Sequence, residues 1–252
     1  MIQKTILCMS LSIALSGGIM AQKNGMQTDT EKTPHVVCYT RGGIAPKLGN
    51  ALHLGYSEDG QHYVALNNDA CVMALRRVDN EPELSSVQKV QGVMKTLTAP
   101  YLFRMKEGGF GVVALRTDQN GMPDDSTVGA FLFIRSRDLV DYEKERLCRL
   151  PVDEMLEAIS CEYDETKKKY CVRWTVKEKA FQCYTTDFLH FSPAEAISKL
   201  DKMQVRIVSD WRNFHNARFG NSLALTKEEG WYLKNKLGRI VNVGVLPLDI
   251  SV

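Results

Sequence analysis

One pattern recurs three times along this chain, and the repeat is typical of an all-β fold. Each copy begins with Ala and an apolar run, continues with Ser or Thr, and has an Asp two residues later and an aromatic residue six residues later. The copies are Ala51–Tyr63, Ala130–Tyr142 and Ala180–Phe191. A strand, a tight turn and a second strand that recur along a chain indicate repeated β-architecture.

The spacing of the copies favours a β-propeller. Ser57 and Ser136 are 79 residues apart, whereas Ser136 and Thr185 are 49 residues apart. A unit of about 50 residues suits one propeller blade, so a mature chain of about 230 residues holds four to five blades. We predict one five-bladed β-propeller domain over residues 34–252, with an inserted loop or a partial unit in the longer interval. A β-sandwich, which also has many short strands, is the alternative.

The N-terminal residues are typical of a secretory signal peptide. Residues 1–21 combine a single Lys with an apolar run over Ile6–Leu15 and with small residues before Ala21. We predict cleavage after Ala21, a flexible polar lead-in over residues 22–33, and an exported protein that is periplasmic or secreted. The apolar run is too short for a membrane span, and we predict no span in the rest of the chain.

Helix signals are sparse and fall in two places. Thr226 and Glu229 form a capping box, and Gly238 stands where a left-handed C-terminal residue belongs, which predicts a helix over Thr226–Leu237. Pro151–Ala158 predicts a second short helix, because Pro is favoured in a first helical turn.

Composition and motifs exclude several classes of function. A net charge of +2 is too small for strong electrostatic steering toward nucleic acid. The sequence contains no G-x-S-x-G, P-loop, H-E-x-x-H or G-x-G-x-x-G motif, and its five His residues lack ligand spacing. We therefore expect no cofactor and no metal. The sequence does not indicate an oligomeric state.

Six cysteines follow the predicted signal peptide, and an even number in an exported protein permits disulfides. The favoured interpretation is that they are small buried residues in strands, because a free Cys packs as a small apolar group. The Asp residues of the three copies are expected to form turns, since Asp accepts hydrogen bonds from backbone N–H groups further along. These residues are Asp59, Asp138 and Asp187.

Several segments resemble the five-bladed β-propellers of glycoside hydrolase family 43. Leu52–Asp69 resembles the family's hairpin, which has the sequence pattern ysxDGxxwxxln. Ala99–Ala114 and Phe133–Glu143 resemble the blade around its Arg-Asp-Pro motif. Cys161–Thr175, followed by Thr185–Ala194, resembles the next blade.

This resemblance implies a carbohydrate-active protein that hydrolyses glycosidic bonds of a polysaccharide or oligosaccharide, as arabinosidases and xylosidases do. Such chemistry needs a general base, a general acid and a third carboxylate. The resemblance places Ala99 and Ser160 at two of these positions, and the first strand, His35–Arg41, lacks the remaining acid. Displaced carboxylates are therefore the candidate catalytic residues, and these are Glu157, Glu162 and Asp210.

A polar and aromatic segment, Asp210–Asn221, predicts a ligand-binding loop. Aromatic rings pack on sugar faces, while amide, imidazole and guanidinium groups bind hydroxyls. The candidate ligand-binding residues are Trp211, Arg212, His215, Asn216 and Arg218. The alternative function is a non-catalytic glycan-binding propeller that has lost its acids. A loop of this kind is equally compatible with a structural connection, and a purely structural role for the protein predicts no sugar-sized pocket.

Overall fold

β-Strands account for most of the regular structure in a computed structural model, which describes residues 32–77, 92–198 and 214–238. All of these residues belong to one unit, Lys32–Val252. The predicted all-β class and the predicted C-terminal helix are confirmed. The strands are β1 (His35–Arg41), β2 (His53–Ser57), β3 (Tyr63–Ala65), β4 (Thr96–Arg104), β5 (Phe110–Thr117), β6 (Ala130–Ser136), β7 (Arg146–Arg149), β8 (Ala158–Asp164), β9 (Lys169–Val176), β10 (Lys179–Thr185), β11 (Glu195–Ile197) and β12 (Ala217–Ala224). The helices are α1 (Pro46–Gly49) and α2 (Lys227–Leu237).

These strands form three four-stranded antiparallel sheets. The first sheet has the order β12-β1-β2-β3, the second β4-β5-β6-β7 and the third β11-β10-β9-β8. The second and third sheets are simple meanders, in which each strand pairs with the next one along the chain. The first sheet differs because β12, the last described strand, pairs with β1. The first and the last described strands are therefore neighbours in one sheet.

The first strand of each meander and the closing strand meet at a junction between the sheets. β4 contacts both β8 and β12, and we call these three the junction strands. Leu102 exchanges two hydrogen bonds with the Asn221 side chain, and Arg104, two residues on, donates to the Ala224 carbonyl oxygen. Residue numbers rise along both strands from the first contact to the second, so β4 and β12 run in the same direction.

The three sequence copies occupy equivalent places in the three sheets. β2, β6 and β10 are each the third strand counted from the junction, and they end at Ser57, Ser136 and Thr185. The same number of strands separates successive copies. The longer first interval is explained by the connection at residues 66–95, which is much longer than its counterpart at 150–157. The prediction of an inserted loop or a partial unit concerns this interval, in which residues 78–91 lie outside the described residues.

Two apolar cores hold the sheets together. Leu54 of the first sheet packs with Val112 and Leu132 of the second. A second core joins the second and third sheets, where the rings of Phe133 and Phe188 stack with centroids 3.8 Å apart. Burying a large apolar side chain contributes about 1.5–3 kcal/mol, so these cores are the main stabilising contacts between the sheets.

The C-terminal helix begins with the predicted capping box. Thr226 Oγ1 accepts from the Glu229 backbone N–H at 3.2 Å, and the Glu229 carboxylate accepts from the Thr226 N–H at 2.8 Å. Arg104 binds the same carboxylate at 2.6 Å, which anchors the helix to β4. Gly238 ends the helix with φ −84°, so the predicted left-handed C-terminal residue is wrong.

Two segment predictions are corrected. Pro151–Ala158 forms no helix, because its backbone pairs with distant residues: the Gly129 N–H donates to the Glu154 carbonyl oxygen, and the Glu157 N–H donates to that of Thr175. The segment Asp210–Asn221 was predicted as a ligand-binding loop. Its last residues belong instead to a strand, because β12 pairs with β1 from Ala217 onward. In both cases long-range pairing outweighs local propensity.

The predicted signal peptide and most of the lead-in lie outside the described residues. Within the described ranges, none of the helices combines the length and the hydropathy that crossing a membrane requires.

Candidate functional site

A cavity of about 450 Å³ lies along the junction strands, and we call it the junction cavity. It is formed by the end of β4, the end of β8 with the turn after it, and the second half of β12. Its lining residues are Tyr101, Leu102, Phe103, Arg104, Met105, Lys106, Cys161, Glu162, Tyr163, Glu165, Asn221, Ser222 and Leu223. Pockets for small molecules have volumes of about 300–1,000 Å³ and a few polar groups on an apolar wall, and this cavity fits both descriptions.

Tyr163 has a hydroxyl group whose hydrogen bonding is incomplete. The oxygen is buried and has no hydrogen-bond partner among the described residues. Its ring packs edge-on against Tyr170 at 5.2 Å, and the Lys106 ammonium lies 5.7 Å from its centroid. Buried polar atoms nearly always have a partner, so this unpaired hydroxyl of a residue that lines the cavity is a candidate group for a hydrogen bond to a bound molecule.

Two of the candidate catalytic residues lie within the described ranges, and of these Glu162 lines this cavity whereas Glu157 does not. The Glu162 side chain is 54% exposed and lies 2.6 Å from Arg173 on the neighbouring strand. Glu165 also lines the cavity, but it is 79% exposed and pairs with Lys168 at 2.8 Å. A general acid is normally desolvated so that it keeps its proton, and neither carboxylate has such surroundings.

Asn221 fixes the wall of the cavity. Its amide is buried, accepts the Leu102 N–H at 2.7 Å and donates to the Leu102 carbonyl oxygen at 2.9 Å. The Cys38 thiol contacts the same amide oxygen at 3.5 Å. Burial raises the pKa of Cys38 to about 12, so this thiol stays protonated and donates. This arrangement joins β12 to β4 and keeps Tyr101 beside the cavity.

Glu157 lies elsewhere and has a structural contact. Its carboxylate accepts the N–H groups of Lys177 at 3.1 Å and Glu178 at 3.3 Å, in the turn between β9 and β10. It lines a separate cavity of about 340 Å³ together with Thr98. Five residues of extended chain separate it from Glu162, roughly 16 Å, which exceeds the 5–9.5 Å of a glycosidase acid pair.

Some of the predicted site residues of the segment Asp210–Asn221 lie within the described chain and others lie outside it. Asp210, Trp211 and Arg212 lie outside the described residues. His215, Asn216 and Arg218 are exposed and lie at the start of β12. None of these three lines the junction cavity.

His215 contacts a buried carboxylate that the sequence did not single out. Asp69 follows β3 and accepts from the His215 ring Nδ1 at 2.7 Å, from the Tyr39 hydroxyl at 2.7 Å, and lies 3.2 Å from Arg41 Nε. Desolvation and the hydrogen bond to Asp69 raise the pKa of the Tyr39 hydroxyl well above its usual value. Only its buried partners distinguish Asp69 from an ordinary turn residue.

The Asp residues of the repeat are turn residues. Asp59 accepts the N–H groups of Gln61 and His62 at 2.9 Å, and Asp187 makes the same pair of contacts in the third copy. These bonds lower the pKa of Asp59, chiefly through the His62 N–H. Asp138 accepts two backbone N–H groups in the second copy. The three Asp residues therefore shape the turns that lead to the outer strands.

The cysteines of the described residues are all free thiols. Five are buried in strands and Cys71 is half-buried, so the favoured interpretation of small buried residues is confirmed for those five. Within residues 32–77, 92–198 and 214–238, no group of three or more His, Cys, Asp or Glu side chains is placed to hold a metal ion.

No family model, no curated protein and no solved structure matches this chain.

Proposed function

We propose that this protein binds a carbohydrate in the junction cavity without cleaving it. The observation that carries the proposal is the unpaired, buried hydroxyl of Tyr163, a residue that lines a cavity of about 450 Å³. A sugar hydroxyl would supply the missing hydrogen bond, and the volume is large enough for a sugar unit.

The chemistry of the wall also suits a sugar. Tyr101 and Tyr163 offer aromatic surface for the C–H face of a pyranose or furanose ring. Glu162 borders the same space, is 54% exposed and carries a carboxylate that accepts hydrogen bonds from hydroxyl groups. A cavity with rings on one side and a few polar groups on the other is the usual form of a small-molecule site.

Binding is favoured over glycosidic hydrolysis by the surroundings of the carboxylates. Hydrolysis needs one protonated acid and one base across the scissile bond. Glu162 and Glu165 are both well exposed and held by cations, and Glu157 lies on a different cavity. Hydrolysis as in glycoside hydrolase family 43 is the second candidate, and it rests on the carboxylate of Glu162 in the cavity wall.

The sheet arrangement is compatible with the proposed family. We propose that the three sheets are blades of a five-bladed propeller related to family 43. Three features support this proposal: the repeated turn after each third strand, the contacts of β4 with β8 and β12, and the pairing of the last described strand with β1. We also propose export, on the predicted signal peptide at residues 1–21.

Binding of a panel of plant and host oligosaccharides to the purified protein, measured by calorimetry, tests this function. Tyr163→Phe removes only the hydroxyl, so Kd is expected to rise about threefold to tenfold, the effect of one hydrogen bond. Tyr232→Phe is the matched control, because Tyr232 lies on helix α2 and its hydroxyl bonds to Asp138 in the turn after β6, away from the junction cavity. Kd is expected to be unchanged in this control.

Release of reducing sugar is measured in the same samples. Release that disappears in Glu162→Gln would support the hydrolase and overturn binding without cleavage. Equal affinities of the wild type and Tyr163→Phe, or no binding across the panel, would also overturn the proposal.

A further inference from the structure

Three His–Asp pairs with nearly equal distances occur in the described residues, but their surroundings differ. His62 with Asp59 and His190 with Asp187 are each three residues apart, with Nδ1–Oδ2 distances of 2.8 Å. Their carboxylates are 26% and 40% exposed and belong to the repeated turns. In the third pair His215 binds Asp69 at 2.7 Å, and that carboxylate is only 6% exposed. The third pair joins residues far apart in sequence, so turn geometry does not explain it.

Asp69 is fixed from several sides. Tyr39 donates to Oδ1, and Oδ2 accepts from the His215 ring and lies 3.2 Å from Arg41 Nε. Arg41 also donates to the Asp69 carbonyl oxygen at 2.6 Å. The carboxylate therefore faces a cation and two donors in a site that water scarcely reaches, and its position is well defined.

This carboxylate sets the orientation of the His215 ring. An ionised carboxylate only accepts hydrogen bonds, so the proton between the two groups sits on Nδ1. The second ring nitrogen, Nε2, then carries a lone pair. The His215 side chain is 65% exposed, so it is accessible to water and to a ligand. A base held in one tautomer by a buried carboxylate is the arrangement that catalytic histidines use.

Two residues with hydrogen-bond donors, Asn216 and Arg218, follow His215 closely in the chain. The Asn216 amide and the Arg218 guanidinium are both next to the backbone of Gly42–Gly43, and Gly42 N–H donates to the Asn216 carbonyl oxygen at 2.9 Å. Asn216 has a left-handed φ of 51°, and Asp69 has one of 60°. Such backbone conformations cost energy and cluster at functional sites.

We propose that His215 and Asp69 form a general-base pair that activates water for the hydrolysis of an ester. An ester suits the site because its leaving alcohol needs only the proton that the histidine has just taken up, whereas a glycosidic bond needs a separate carboxylic acid. The Asn216 amide and the Arg218 guanidinium are the donors for the negative carbonyl oxygen of the intermediate. The inference is independent of carbohydrate binding in the junction cavity.

The reaction balances with water as the only co-reactant. Nε2 takes a proton from water while the water oxygen forms a bond to the acyl carbon and the carbonyl electron pair moves to oxygen. The intermediate then re-forms the carbonyl group, the bond to the alcohol oxygen breaks, and Nε2 returns its proton to that oxygen. The products are a carboxylic acid and an alcohol, and Asp69 stays ionised throughout.

Hydrolysis of p-nitrophenyl acetate by the full chain tests the proposal. His215→Gln is expected to lower kcat/KM about 100-fold, the usual effect of losing a general base. His62→Gln and His190→Gln remove the other two paired imidazoles and are expected to leave kcat/KM unchanged. Equal losses in all three variants, or no loss in His215→Gln, would overturn the proposal.

Two further measurements separate catalysis from a structural role. Turnover slower in D₂O without an initial burst is expected of a general base, whereas a burst from an acetylated imidazole would overturn this role. Asp69→Asn, the positioning residue, is expected to lower kcat more than it raises KM and to shift the ¹⁵N signals of the His215 ring. Loss of activity that parallels loss of folding in both variants would leave only a structural role for the pair.

Discussion

Asn221 shows how one side chain can replace a missing backbone pairing. β12 and β4 belong to different sheets, so they share no ladder of backbone hydrogen bonds. The Asn221 amide supplies one donor and one acceptor to the backbone of Leu102, as a neighbouring strand would. Since the amide is buried, its loss leaves both backbone groups of Leu102 without a partner in the interior.

Asn221→Ala is therefore expected to lower the free energy of unfolding by about 2–3 kcal/mol, the cost of leaving buried polar groups unpaired. Urea denaturation at neutral pH measures the change. Asn235→Ala is the control, because this exposed amide contacts only its own helix, and a change within about 0.5 kcal/mol is expected. Equal stabilities of Asn221→Ala and the wild type would show that β12 does not depend on this amide.

Among single residues, the sequence was a good guide to turns and a poor guide to the candidate site. Asp59, Asp138 and Asp187 were recognised because Ser-x-Asp turns use only local hydrogen bonds. Asp69 was not recognised, since its distinguishing contacts come from β1 and from His215, two residues before β12. The unpaired Tyr163 hydroxyl was also missed, because a cavity is a property of three strands together.

At the scale of elements, a buried ion cluster joins the loop after β5 to the sheet. Asp124 lies 2.8 Å from the Lys95 ammonium and 3.0 Å from Arg116 Nε, and all three side chains are buried. Burial alone would raise the pKa of Asp124. Hydrogen bonds from Lys95 and Ser126 and the charge of Arg116 outweigh burial, so the pKa is lowered.

The sign of this shift predicts a pH dependence. Because the folded pKa lies below the unfolded value of about 4, Asp124 stabilises the fold above pH 4, and this contribution is lost as the pH falls through the folded pKa. Asp124→Asn is expected to cost about 3 kcal/mol at pH 7, because two buried cations lose their partner. The difference from the wild type is expected to shrink below pH 4.

Urea denaturation of both proteins at neutral and acidic pH measures this dependence. Asp153→Asn is the control, because Asp153 is exposed, and a change within about 0.5 kcal/mol is expected. A stability difference that stayed constant down to the acid limit would contradict the predicted shift.

Elements were predictable where local signals agree with tertiary pairing. The hairpins of the second and third sheets have alternating apolar residues and Asp or Gly turns, and the capping box of α2 is visible in the sequence. The first part of β12 was predicted as a loop because it belongs to the polar and aromatic segment Asp210–Asn221, and its Asn and Gly residues disfavour strands. Its strand conformation comes from pairing with β1, which lies more than 170 residues earlier in the chain.

For the molecule as a whole, the thiols report on the integrity of the sheets. Cys38, Cys148 and Cys183 are buried in strands of the three different sheets, and desolvation raises the pKa of each to about 12. Thiolates are the reactive form of cysteine, so these groups react slowly while the sheets are intact.

Alkylation of the native protein with iodoacetamide, followed by mass spectrometry, is therefore expected to modify the half-buried Cys71 first. The three buried thiols are expected to react only in urea, together and at the unfolding transition. Dithiothreitol is expected to leave the melting temperature unchanged, because the cysteines of the described residues are free. Early alkylation of a single buried thiol would show that its sheet opens separately from the others.

The pairing of β12 with β1 has a consequence for the order of events during biosynthesis. A ribosome makes β1–β3 first, but the neighbour that completes their sheet is made about 180 residues later. At typical elongation rates of about 5–20 residues per second, that edge of β1 waits roughly 10–40 seconds for its partner. During this interval its unpaired N–H and C=O groups are a template for pairing with other chains. The second and third sheets, built from consecutive strands, need no such delay, so the first of the three described sheets to be started is the last to be completed.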